Sequence, residues 1–131
     1  MRFVLPTFQE ATLRRGKSLE QFLGGCVFCD EAAIRFVELR PAGSRVEVWL
    51  HHAADIGDEE HCDFAPFIFN EDEEGNEVAP VAVLPSPGAA LELAQSDLGA
   101  CPDRWTNQGM SESEYLDFIR AGRPALWPVA T

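Results

Sequence analysis

The chain has 131 residues, 46% of them hydrophobic, with 10 Lys and Arg against 22 Asp and Glu and a formal net charge of −12. This length and composition support one domain over residues 1–131, with a core that needs no disulfide or metal staple, and exclude a disordered chain. The acidic excess disfavours nucleic-acid backbone and anionic lipid as partners, because both require a basic surface.

The chain opens Met1-Arg2-Phe3-Val4-Leu5-Pro6, with too short an apolar run before Pro6 for a signal peptide. No apolar run approaches the roughly 18–20 residues that span a bilayer. The expectation is a cytoplasmic protein whose four cysteines, Cys26, Cys29, Cys62 and Cys101, stay reduced. A helical turn is expected over residues 8–14, capped by Thr7. Ser18-Leu19-Glu20-Gln21-Phe22-Leu23 before Gly24-Gly25 reads as a short capped helix with a glycine terminus.

A hairpin follows, with strands over residues 34–40 and 45–51 joined by Pro41-Ala42-Gly43-Ser44. Val46, Val48 and Leu50 alternate with Glu47, Trp49 and His51, the period-2 signature of a half-buried strand. Two further strands are expected over residues 64–69 and 78–84, around the acidic loop 70–77. Pro66 and Pro80 would confine them to sheet edges. In the last third, Ser86-Pro87 starts a helix that buries Leu91, Ala94 and Leu98. Ser111-Glu112-Ser113-Glu114 has the form of a capping box, opening a helix that buries Tyr115, Leu116 and Ile119 and ends at Gly122. The fold class is therefore α+β, with a mainly antiparallel sheet of about four strands, short helices at the N-terminal end and two helices in the C-terminal third.

The charge is unevenly distributed. Residues 1–54 carry 7 basic and 6 acidic side chains, residues 55–77 carry 10 acidic and no basic ones, and residues 78–131 carry 3 basic and 6 acidic. The candidate partner-binding residues are accordingly Asp55, Asp58, Glu59, Glu60, Asp63, Glu71, Asp72, Glu73, Glu74 and Glu77, which suit a basic protein partner. Trp127 joins them as an aromatic anchor near the chain end, or else it pins the tail to the domain. Trp105, in a loop between helices, is expected to pack on the core with its indole N–H on a backbone acceptor.

No nucleotide loop, serine-hydrolase elbow or zinc-protease motif occurs, so neither a catalytic residue nor a cofactor is assigned. Asn70-Glu71-Asp72-Glu73-Glu74-Gly75 imitates the start of a calcium loop, but Val81 stands where its bidentate Glu belongs. Cys26-Val27-Phe28-Cys29 supplies two zinc-type ligands. A zinc-binding or metal-dependent protein using Cys26, Cys29 and His61 or Cys62 is the alternative reading, and a non-inhibitory adaptor subunit is another. The competing explanation for that motif is a pair of small apolar residues entering a strand.

Asp103-Arg104-Trp105-Thr106-Asn107-Gln108-Gly109, followed by Glu114-Tyr115-Leu116-Asp117-Phe118-Ile119, is similar to the C-terminal parts of the immunity proteins of bacterial polymorphic-toxin systems. The resemblance covers about the last quarter of the chain and transfers no individual residue role. It implies a small cytoplasmic α+β inhibitor that occludes the active site of a cognate toxin. Oligomeric state is left open.

Overall fold

The computed structural model describes residues 2–28, 30–62 and 79–128. Strands β1 (Leu19–Phe28), β2 (Glu31–Ala42), β3 (Arg45–Ala54), β4 (Ala82–Leu84) and β5 (Thr106–Asn107) form one antiparallel sheet in the order β4-β3-β2-β1-β5. Helices α1 (Pro6–Arg14) and α2 (Pro87–Asp97) cover one face, and α3 (Ser111–Arg120) covers part of the other. The class is α+β as expected. The described sheet has five strands rather than about four, and the expected strand over residues 64–69 lies outside the described residues.

The hairpin follows its sequence pattern. Ala42 pairs with Arg45, so Gly43 and Ser44 form a two-residue turn, and Gly43 at φ +65° takes the conformation a type II′ turn needs at that position. Val46 and Val48 are buried with Val37 and Leu39 under α1 and α2. On the opposite face, Ile34, Phe36 and Ala53 meet Tyr115 and Phe118 of α3. Thus β2 is buried on both sides, while the far end of β3 feeds directly into the acidic segment.

The segment expected to be a helix at residues 18–23 is instead the start of β1. Leu19 enters the first core and Phe22 the second, an alternation between faces that a six-residue helix cannot match. At Leu23 the register slips by one residue, and Gly24 at φ +101° absorbs the bulge. A Cβ on Gly24 would lie 2.8 Å from Cβ of Trp127, so the bulge and the tail are fitted to each other.

Helix α1 starts at Pro6 rather than Phe8. Its N-cap is Leu5 with no side-chain cap, so Thr7 does not play that part. Proline at the first helical position pre-sets the backbone. Ser86 does cap α2, accepting the Ala89 N–H at 3.2 Å. Leu91 and Ala94 are buried as expected, and Leu98 packs against the same core.

The capping box expected at α3 is absent. Ser111 is the first helical residue, its hydroxyl is buried without a partner among the described residues, and Glu114 turns to three other residues. The cap is supplied by β1: Glu20 Oε1 accepts the N–H groups of Gly109 at 2.9 Å and Ser111 at 3.0 Å. A carboxylate there also opposes the positive end of the helix dipole. Trp105 lies at 0% exposure in the first core. Its indole N–H has no partner among the described residues, contrary to the backbone acceptor expected.

Candidate functional site

The acidic segment begins where β3 ends, and its described part is residues 55–62. Asp55, though counted among the candidate contact residues, turns inward. Its carboxylate, 9% exposed, accepts the Tyr115 hydroxyl at 2.8 Å and Arg123 Nε at 3.1 Å. The same Tyr115 oxygen accepts the Gly57 N–H at 2.9 Å, and Arg123 also donates to the Gly57 carbonyl. Burial and the hydrogen bond to Asp55 push the Tyr115 hydroxyl up to about 12. A Cβ on Gly57 would lie 2.7 Å from both the His61 carbonyl oxygen and the Tyr115 ring, so only glycine fits.

This anchor holds the next turn outward. Asp58 Oδ1 accepts the backbone N–H groups of Glu60 at 2.9 Å and His61 at 2.8 Å, with His61 Nδ1 at 3.2 Å. Those backbone bonds, with His61, hold its carboxyl below the usual range. Glu59 lies 3.5 Å from Arg120 Nε, and both side chains are largely exposed. Glu60 is exposed, with its carboxylate unpaired among the described residues. Of the ten acidic candidates, Asp58, Glu59 and Glu60 are therefore displayed and Asp55 is structural. Asp63, Glu71, Asp72, Glu73, Glu74 and Glu77 lie outside the described residues.

Trp127 does what pinning the tail requires. Its ring packs edge-on to Phe118 at 5.7 Å and Phe22 at 6.2 Å, and its indole N–H donates to Glu114 at 3.2 Å. Glu114 is a nearly buried hub, 3% exposed, that also pairs with Arg2 and Arg104. Arg104 in turn lies over the Phe3 ring at 4.7 Å. Arg2 and Trp127 are thus both fastened to α3.

A second polar cluster, not singled out from sequence, lies on the α3 side of the sheet along β2 and β3. Glu38 Oε1 is 2.9 Å from both His51 Nε2 and Arg40 Nη2. Arg40 also lies 4.5 Å above the Trp49 ring, while Trp49 stacks on His51 and His51 on Phe36. The signal available was a single carboxylate between the apolar residues Val37 and Leu39, facing alternating aromatic and imidazole residues on the next strand.

Among the described residues, no three His, Cys, Asp or Glu side chains gather as a metal site. Cys26 and Cys62 are free thiols there, burial pushes the Cys26 thiol up, and Cys29 is outside the described residues. Cys26 lies within β1, in line with the strand explanation of that motif. The imitation calcium loop at residues 70–75 also lies outside the described residues. Among those described, no helix is long and apolar enough to cross a membrane.

No family model matches the chain, and neither the curated proteins nor the solved structures contain a significant match.

Proposed function

We propose that this protein is a small acidic binding module of the immunity type, which occludes a basic partner protein, a cognate toxin, in the cytoplasm. One observation carries the reading. The acidic segment starts from a rigid anchor, Asp55–Tyr115–Arg123, and its turn displays Asp58, Glu59 and Glu60 to solvent instead of neutralising them inside. A held array of carboxylates suits a cationic cleft that normally receives phosphates. It accelerates encounter and discriminates against acidic partners. Residues 63–77 extend the same charge with six more carboxylates.

Coexpression with the polypeptide encoded beside its gene tests this directly. The expected result is a stoichiometric complex, protection of the host cell, and an association rate that falls steeply with salt. A neighbour that neither binds nor harms the cell, or an association rate indifferent to salt, would overturn the proposal.

A further inference from the structure

The cations of this acidic chain are not scattered. Arg2, Arg14, Arg40, Arg104, Arg120 and Arg123 each pair with a carboxylate. Arg15, Lys17, Arg35 and Arg45 form no such pair among the described residues, although carboxylates outnumber cations 22 to 10 in the chain. Arg35 lies in the middle of the sheet on β2, and the other three occur where α1 ends and where the β2–β3 hairpin turns. Between those two features lies a cavity of about 520 Å³, within the range of small-molecule sites. Pro41 and Pro87, both partly exposed, contribute apolar surface to it, and Arg14, Ser44 and Arg45 contribute polar groups. Arg15 and Lys17 flank Gly16 in sequence, and no carboxylate is among the described residues that line the cavity.

Three further features favour an anion there. The pair between Arg14 and Glu10 spans 3.5 Å on an exposed helix surface, an arrangement that contributes little and competes weakly with a ligand. Pro87, the first residue of α2, also lines the cavity and brings the positive end of that helix to the wall. The acidic turn lies at the other end of β3. Nine residue steps of strand, about 30 Å, separate Arg45 from Ala54, several times the roughly 8–10 Å screening length of physiological salt.

We infer that this cavity is a binding site for a small organic phosphate, whose phosphate meets Arg14 and Arg45 and whose apolar part rests on Pro41 and Pro87. The site lies apart from the surface proposed above for a basic partner, so its failure would leave that reading intact. The test is titration of the full chain with phenyl phosphate, inorganic phosphate and phenol, followed by amide NMR and calorimetry. Expected is saturable binding of phenyl phosphate, with shifts centred on Gly16, Gly43 and Ser44. Inorganic phosphate should bind about tenfold more weakly and phenol not at all. Arg45→Gln and Arg14→Gln should each lower affinity about tenfold, the loss of one charge-assisted contact, with the fold unchanged by circular dichroism. Equal binding of inorganic phosphate, shifts scattered over the surface, or full affinity in both variants would overturn it. Sedimentation of the same samples covers the competing occupant: self-association abolished by Arg45→Gln, without phosphate binding, would assign the cavity to the acidic segment of a second copy and refute the small-molecule site.

Discussion

The network around Glu38 can be tested by titration. Burial by itself would push its carboxyl up, but hydrogen bonds from His51 and Arg40 more than offset it, and it falls from 4.5 to about 2. At about 1.4 kcal/mol for each tenfold change in proton affinity, that drop corresponds to about 3 kcal/mol. The Arg40 side chain is 44% exposed, so solvent screening reduces the expected figure to about 2 kcal/mol. Because the folded value lies below the unfolded one, this stabilisation is fully present above 4.5 and is lost as pH falls through about 2. Glu38→Gln removes the titrating charge at nearly constant shape. Urea unfolding followed by tryptophan fluorescence should show the variant about 2 kcal/mol less stable than wild type near pH 7. The two stabilities should converge as pH falls through about 2, where wild-type Glu38 itself takes up its proton. Every other carboxylate is common to both proteins, so its titration cancels in the difference. A gap that stays constant from neutral to acid pH would refute the assignment.

Tyr115→Phe deletes a hydroxyl bonded to both Gly57 and Asp55 and should cost about 1–3 kcal/mol in chemical denaturation at neutral pH. Since the hydroxyl is raised from 10.0 to about 12, wild type should lose that advantage as pH rises through this window, and the variant should not. At α3, Ser111→Ala removes a hydroxyl with no partner among the described residues and should leave the melting temperature unchanged, whereas Glu20→Ala removes the actual cap and should cost about 1–2 kcal/mol. A capping-box role would reverse that ranking in a thermal melt. Charge reversal at Glu73 and Glu74 should slow capture of the basic partner at low salt and flatten its salt dependence, as stopped-flow association would record.

What the sequence revealed depended on how local the cause was. The β2–β3 hairpin and the Ser86 cap were legible because alternation, turn residues and a capping hydroxyl act within a few positions. Residues 18–23 were misread as a helix because their strand conformation comes from pairing with residues 36–39, and a bulge hides the period. Ser111 looked like a cap because the true one, Glu20, is 91 residues away in sequence. The acidic run was plain in composition, yet composition could not separate Asp55 from Asp58. Their different fates depend on Tyr115 and Arg123, which arrive from the other end of the chain. The Glu38 cluster was hidden for the same reason, since its partner His51 belongs to the next strand.

The anchor beneath the acidic turn makes charge and shape separable. Long-range attraction depends on the number of displayed carboxylates, so charge reversal acts mainly on the association rate. Gly57→Ala leaves every charge in place but drives a Cβ to within 2.7 Å of the His61 carbonyl and the Tyr115 ring. The turn must then shift or Tyr115 must retreat, and either displaces Asp58, Glu59 and Glu60 relative to the sheet. A stability loss of about 1–3 kcal/mol is expected from the overpacking. In the complex with a basic partner, dissociation should quicken about tenfold or more, while association and its salt dependence stay near wild type. Surface plasmon resonance separates the two rates. If Gly57→Ala instead lowers only the association rate, the carboxylates act as a diffuse charge cloud and the rigid turn has no part in recognition. If it alters neither rate while the acidic charges still matter, the interface lies wholly within residues 63–77.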